Sequence, residues 1–319
     1  WRRQTAWVDT VKVTACRQKV STAAHRRTAR PRLDILALKP AQHIRQLLLR
    51  QYKVRINLIN YIAAYALQLC ANMRSHGQCI AEFLYLMGIR PVWQSGSQRV
   101  NGLEVISLTE LKRPRIDVTA RISGLFRDTM PSVMQVMDKA VLLAAGLEED
   151  EELNFVRKHI QNDSRELETE DGLSHEDAWR QAAFRIFGDA QGTYGAGVAA
   201  LLESKNWETL DDIADVYVRW GGHAYGGKTK GKYMPKLFRK RMGSLDITIK
   251  NEDNHETNML SSDDYNAYHG GMIAAVRAIK GSAPRSYCGD STLEAVGKHI
   301  RHICSTLIAM LHQTLDKFR

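Results

Sequence analysis

Residues 111–128 read LKRPRIDVTARISGLFRD. The centre of this stretch, Ile116–Ser123, is dense in β-branched residues and predicts a strand. Leu111–Pro114 and Gly124–Asp128 then fall in loops at its two ends, where α/β proteins usually hold their ligands. Upstream, Gln78–Met87 (QCIAEFLYLM) has helical periodicity, with Gly88 as its stop. Ile89–Trp93, a short apolar run interrupted by Pro91, and Leu103–Ser107 (LEVIS) read as further strands. Downstream, Pro131–Ala145 reads as a long amphipathic helix. The order helix, strand, strand, strand, helix predicts a partial α/β, Rossmann-like segment over residues 72–150.

Beyond the acidic run Glu148–Glu152 the pattern over 151–291 becomes mainly helical. Ser174 with Asp177 resembles a capping box opening a helix that runs through Phe187. Val198–Glu203, Leu210–Trp220 and Lys232–Met242 read as further helices. Between them lie glycine-dense loops, Gly188–Gly197 (GDAQGTYGAG), Gly221–Gly231 (GGHAYGGKTKG) and the pair Gly270–Gly271. Each reads either as a turn or as a place where backbone approaches a ligand closely.

The 319 residues are 44% hydrophobic and 25% charged, an ordinary globular composition. Net charge is +10. Residues 1–70 hold 14 Lys+Arg against Asp9 and Asp34, and the rest hold 31 bases against 33 acids, a net of −2. The basicity therefore belongs to residues 1–71, which lack sustained periodicity and interleaved aromatics, and a nucleic-acid-binding module is the weakest functional class. Five cysteines with no C-x-x-C pair argue against a disulfide scaffold or a cysteine zinc site and fit a reducing cytoplasm. The most apolar run, Ile56–Cys70, is interrupted by Asn57, Asn60 and Gln68, so no membrane span is expected. The chain starts at Trp1 and is expected to be a truncated gene product.

Gly222–Thr229 matches G-x-x-x-x-G-K-[ST] literally, but a helix precedes it and Gly231 and Pro235 follow. A phosphate-binding loop leaves a strand and enters a helix, so ATP chemistry is expected on another subunit. Asn251–Gly271 (NEDNHETNMLSSDDYNAYHGG) concentrates carboxylates and imidazoles, which suit a borderline divalent metal or general-base work. It reads equally as a polar loop in which Ser262 or Asp263 caps the next helix. Asn154–His159 (NFVRKH) could meet a substrate carboxylate or form a solvated helix face. Arg113, Arg115, Asp117, Arg127 and Asp128 read as ligand clamps or as surface pairs. His299 and His302, near Cys304, read as helix-surface residues.

Taken in order, GQCIAEFLYLMGIRPVW, LKRPRIDVTARISGLFRD, NFVRKH, RIFGDAQGTYGAG, WGGHAYGG, SSDDYNAYHGG and PRSYCGDS resemble the large-subunit family of aerobic cobaltochelatase (CobN) and magnesium chelatase. The resemblance covers about residues 72–291. Residues 1–71 and 292–319 read as unlike that family, as frameshifted ends would. The family's large subunit is several times longer, so this chain resembles a fragment.

The resemblance implies ATP-dependent insertion of Co²⁺, the substrate metal, into hydrogenobyrinic acid a,c-diamide in cobalamin biosynthesis. Its alternatives are Mg²⁺ insertion into protoporphyrin IX, or a non-catalytic tetrapyrrole-binding remnant. It implies as partners an AAA+ ATPase subunit and a second motor subunit, with ATP and its Mg²⁺ on the motor. The SDDY…HGG and RSYCGDS segments resemble the cobalt branch. By the same resemblance His255, Glu256, Glu110 and His159 would remove ring protons, and Asp263, Asp264 and His269 would handle the metal. Arg113, Arg127, Arg157 and Lys158 would grip the ring's acidic periphery, with Tyr194, Trp220 and Tyr225 against its face. Thr257 and Asn258 stand where many cobalt-type relatives have His and Asp, and Gln78 stands where magnesium-type relatives often have a carboxylate.

Overall fold

The structure is a computed structural model, and it describes residues 62–67, 72–73, 77–94, 100–252 and 262–290. Its centre is the strand that the opening stretch predicts. Asp117–Ile122 (β4) is buried at all six positions, as a parallel strand covered on both faces must be. Around it lie Ile62–Leu67 (β1), Ile186–Gly188 (β5), His223–Gly226 (β6), Thr229–Tyr233 (β7), Ile247–Glu252 (β8) and Arg285–Asp290 (β9). They form one seven-stranded sheet in the order β7-β6-β5-β4-β1-β8-β9. The five strands from β5 to β9 in that order are parallel, and β6 and β7 add an antiparallel hairpin beside β5. Ile89–Trp93 (β2) and Val100–Val105 (β3) pair separately as an antiparallel ribbon.

Helices cover both faces. Val118, Ala120 and Ile122 of β4 pack into one core with Gln78–Leu86 (α1), Pro131–Ala145 (α4) and Phe155–Glu170 (α5). Ala64, Phe187 and Ala224 face a second core with Val198–Ser204 (α7), Leu210–Gly221 (α8), Pro235–Ser244 (α9) and Gly271–Lys280 (α11). Local signals set the ends of these helices. Pro131 and Pro235 stand at the first helical positions, where a missing N–H costs nothing. Thr209 and Asp212 close a capping box on α8, and Ser174 accepts from the Asp177 N–H at the start of His175–Ala182 (α6).

Three expectations change. The region after residue 150 is rich in helix, yet it also supplies β5 to β9 of the main sheet. The helix expected from Ser174 through Phe187 stops at Ala182, because Ile186–Gly188 enters the sheet. A short buried apolar strand has no alternation, so its sequence cannot be told from a helix segment. Similarly, Thr229–Tyr233 forms β7 before the helix expected from Lys232 begins at Pro235. β1 lies within the basic stretch and nonetheless pairs with both β4 and β8. No helix among the described residues is long and apolar enough to cross a membrane.

At the amino end of the parallel strands the layers are joined by buried charge. Asp117, 0% exposed, accepts from Arg185 (2.7 and 3.1 Å), from Arg241 of α9 (3.0 Å), and pairs with His159 Nδ1 of α5 (2.9 Å). Arg241 also pairs with Asp163 of α5. Burial alone would raise the Asp117 carboxyl, but Arg185, His159 and Arg241 outweigh it and hold the group well below the usual carboxylate range.

Asp117→Ala would leave the buried Arg185 guanidinium without a carboxylate and Arg241 with Asp163 alone, and is expected to cost about 3–5 kcal/mol in urea unfolding. Because the folded carboxyl is held low, the stability it contributes is present above the unfolded pKa of about 4 and is lost as pH falls below it. Urea midpoints from pH 6 to pH 3 should therefore fall more steeply in the parent chain than in Asp117→Ala.

Candidate functional site

At the opposite, carboxyl end of the sheet, β4 runs into Ser123, whose side chain accepts from Phe126 N–H and caps Gly124–Thr129 (α3). The glycine loop after β5 lies directly on that cap. A Cβ on Gly124 would sit 2.6 Å from the Tyr194 ring and 2.8 Å from Thr193 O. Arg127 fastens the same loop, donating to the carbonyls of Asp189 (3.2 Å), Ala190 (2.6 Å) and Thr193 (3.2 Å) and to the Asp128 carboxylate (2.7 and 2.9 Å). Tyr194 Oη donates to Asp128 at 2.7 Å. Arg127, followed by Tyr194, holds the Asp128 carboxyl below its ordinary range.

Beneath the loop, Arg121 Nη2 and Asp189 form a fully buried ion pair at 2.5 Å. The Arg121 guanidinium lies 5.3 Å from the Tyr268 ring and 5.7 Å from the Tyr217 ring. Burial opposes the Arg121 charge, but Asp189 with the two tyrosines more than offsets it, and the guanidinium is held above its ordinary pKa. Asp189 also accepts from Gly195 N–H (3.2 Å), while its backbone carbonyl accepts from Tyr225 Oη. Gly197, at φ +74°, packs against Trp220, whose ring would lie 2.5 Å from an added Cβ. The result is a glycine-backboned rim with two large open aromatics, Tyr194 at 41% and Trp220 at 38% exposure.

The chain leaves β8 at Glu252 on this same edge and is described again from Ser262. His255 and Glu256, expected as proton acceptors, lie outside the described residues. Asp263 and Asp264 are exposed in the single turn Asp263–Tyr265 (α10), capped by Ser262. The π-helical turn Asn266–Gly270 follows. Its wider register turns Tyr268 toward Arg121 and His269 toward β8. His269 is fully buried: Nδ1 meets Tyr265 Oη at 2.9 Å and Nε2 meets Thr248 Oγ1 at 3.1 Å. Burial, then Lys250, lowers its pKa to about 3, so it is neutral. Both ring nitrogens are thus engaged inside the fold, leaving neither open to a metal. Among the described residues no group of three or more His, Cys, Asp and Glu is arranged to hold a metal ion.

The other expected site residues are placed differently. Tyr225 is 2% exposed and faces the core, because β6 lies inside the sheet beside β5. Its hydroxyl supports the rim from below. Arg127 has its guanidinium spent on the loop. Arg113 donates to the Tyr85, Leu86 and Pro114 carbonyls and so closes the end of α1. Glu110 pairs with Arg90, Lys158 with Glu152, and Arg157 donates to Leu147 O. His159 is held by Asp117 at the start of β4, the opposite end of that strand from Arg127.

The P-loop look-alike folds as the β6–β7 hairpin. Asp138 of α4, held by Arg180 at 2.9 and 3.0 Å, accepts the Gly227 N–H that a phosphate would need. A carboxylate of the chain itself fills the anion position. Sequence reasoning missed Arg121 and Asp189 as the rim's foundation. The available signal was a charged residue inside an apolar strand and another directly after one, since buried charges require partners.

The family model described as CobN/Magnesium Chelatase matches residues 36–304, beyond 72–291 at both ends. The chain is 44% identical over 220 residues to the aerobic cobaltochelatase subunit CobN of Pseudomonas aeruginosa, covering 69% of this chain and 18% of that protein. It is 35% identical over 263 residues to the chloroplastic magnesium-chelatase subunit ChlH of Oryza sativa, covering 80% and 18%. It superposes on the catalytic subunit of cobaltochelatase from Mycobacterium tuberculosis with a TM-score of 0.75 at 40% identity, over 82% of this chain and 22% of that one. The chain thus spans about a fifth of the length of these relatives.

His269 gives a pH signature. Its folded pKa of about 3 lies below its ordinary 6.5, so the unfolded chain takes up the proton first. Stability is expected to fall, by at most about 1.4 kcal/mol per unit, as pH drops from about 6.5 toward 3. His269→Gln should flatten the upper part of that decline, between pH 6.5 and 4.5, in chemical denaturation.

Proposed function

This chain belongs to the CobN/magnesium chelatase family, and we propose that it is the part of a chelatase large subunit that seats a tetrapyrrole on the carboxyl edge of its sheet during insertion of a divalent metal ion. The observation that carries this reading is the rim itself. A glycine loop tied down by Arg121–Asp189 and Arg127 presents open Tyr194 and Trp220, and β8 ends at Glu252 on the same edge. The parallel strands, in chain order 3-2-1-4-5, support a doubly wound, Rossmann-like reading, in which ligands bind outside the carboxyl ends near the point where the strand order reverses.

Insertion exchanges two ring N–H protons for M²⁺, so the site must accept two protons and release the ion from water. In this reading Tyr194 and Trp220 flank the flat ring. Asp263 and Asp264, open to solvent, carry the hydrated ion through oxygen ligands that bind loosely enough to let it go. His255 and Glu256 take the two protons. His159, Glu110, Arg113, Arg157 and Lys158 act at the far end of the strands as scaffold, with Arg127, Tyr225 and His269 holding the rim. Cobalt insertion into hydrogenobyrinic acid a,c-diamide is favoured over magnesium insertion into protoporphyrin IX by the higher identity to the cobaltochelatase subunit. The Asp138-filled hairpin supports ATP hydrolysis on partner motor subunits. A binding segment without turnover of its own is the second reading, favoured by the chain's spanning only about a fifth of the length of its relatives.

Absorbance titration of the purified chain should give saturable binding of hydrogenobyrinic acid a,c-diamide, at least tenfold tighter than protoporphyrin IX. Trp220→Ala should weaken it by at least tenfold. Tighter porphyrin binding would favour magnesium, and no binding of either by a folded chain would overturn the seat. In an intact relative, alanine at the position of His255 or Asp263 is expected to abolish insertion while sparing ring binding.

A further inference from the structure

From Gly221 to Leu245 the chain contains seven basic residues and no acidic one. Three of the seven are neutralised within the fold: Arg239 by Asp215, Lys240 by Asp163 and Glu166, and Arg241 by Asp117 and Asp163. The other four, Lys228, Lys230, Lys232 and Lys236, are exposed, and no ion pair or side-chain hydrogen bond engages them among the described residues. Lys230 and Lys232 sit on β7, Lys228 just before it and Lys236 in the first turn of α9 after it, and β7 is an edge strand of the sheet. Tyr233, in the same strand, is 51% exposed, with its ring 4.9 Å from that of His223.

The pairing register explains how the lysines are spread. Lys230 stands opposite Tyr225 and Lys232 opposite Ala224, so Gly231, at φ +83°, is an extra residue in β7. Adjacent positions of β6 point to opposite faces, and the bulge therefore sends Lys230 and Lys232 to opposite sides of the sheet. Bulge and lysines together block addition of a further strand. They also make the edge a cationic ridge, charged on both sides, with one aromatic anchor. Its surroundings are not basic, since residues beyond 70 carry a net charge of −2 and α8 opens with Asp211 and Asp212. A long nucleic acid tracking such an island would meet carboxylates within one helix. A protein surface of limited size would not.

We propose that this ridge docks an acidic face of a separate protein chain, with Lys228, Lys230, Lys232 and Lys236 meeting its carboxylates and Tyr233 buried at the centre. Complementary charge sets the orientation and speeds encounter, and the tyrosine supplies desolvated contact area. The inference stands apart from the proposed tetrapyrrole seat, because it uses neither the rim nor its residues.

Zero-length carbodiimide cross-linking of the full 319-residue chain to a labelled Glu/Tyr decapeptide, followed by peptide mapping, reads the site directly. Cross-links should concentrate on the four lysines and fall at least tenfold in Lys230→Glu/Lys232→Glu. That variant should in turn acquire binding of a Lys/Tyr decapeptide in fluorescence anisotropy, which also shows that it folds. Tyr233→Ala should weaken the acidic peptide severalfold, where a purely ionic contact would be unmoved. Cross-links spread evenly over all lysines, or single-stranded DNA outcompeting the peptide at the ridge, would overturn the assignment.

Discussion

The carboxylate of Asp117 is the fixed point to which both helical layers are referred. It sits fully buried at the first position of the central strand, and two guanidinium groups and an imidazole converge on it from the residue before β5, from α9 and from α5. Arg185 reaches it only if Ile186–Gly188 enters the sheet, and Arg241 only if α9 packs across the end of β4. Alternative packings would strand a buried charge, at a cost of several kcal/mol each. One acid thereby restricts the arrangement of elements that lie far apart in sequence.

The same strand carries the logic of the other end. Arg121, four residues along β4, anchors Asp189 and through it the glycine loop. The two ends divide labour: buried ion pairs at the amino end are closed to solvent, whereas those at the carboxyl end support a rim that is open. On the proposed reading, a seat for a flat, rigid ligand benefits from a floor that does not rearrange when the ligand arrives. Arg127, Tyr225 and Asp128 complete that floor, and Tyr194 and Trp220 stand above it.

Much of this was legible in the sequence. The β-branched run Ile116–Ser123, the helix Pro131–Ala145 and the cap at Ser174 are local signals, and the structure follows them. β5 and β7 were not legible as strands, because three or five residues without alternation leave no periodicity to read. Tyr194 and Trp220 came into view only through the family resemblance, and the structure places both open at the rim. Tyr225, Arg113 and Arg127 show the limit of such reading. A residue type suited to a ligand is equally suited to satisfying carbonyls within the fold, and only tertiary placement separates the two uses. Arg121 and Asp189, 68 residues apart, become a pair only once β4 and β5 lie side by side.

The position of β1 between β4 and β8 bears on how the chain is made. During synthesis β1 emerges before β4 and can pair with it soon after, but its other neighbour begins at residue 247. At about 5–20 residues per second, that flank of the nascent sheet waits roughly ten to forty seconds for its partner. Pairings so distant along the chain are slow to close and leave a bare parallel edge in the meantime. Until then the sheet is half built, with backbone donors and acceptors along β1 that only a distant strand can satisfy.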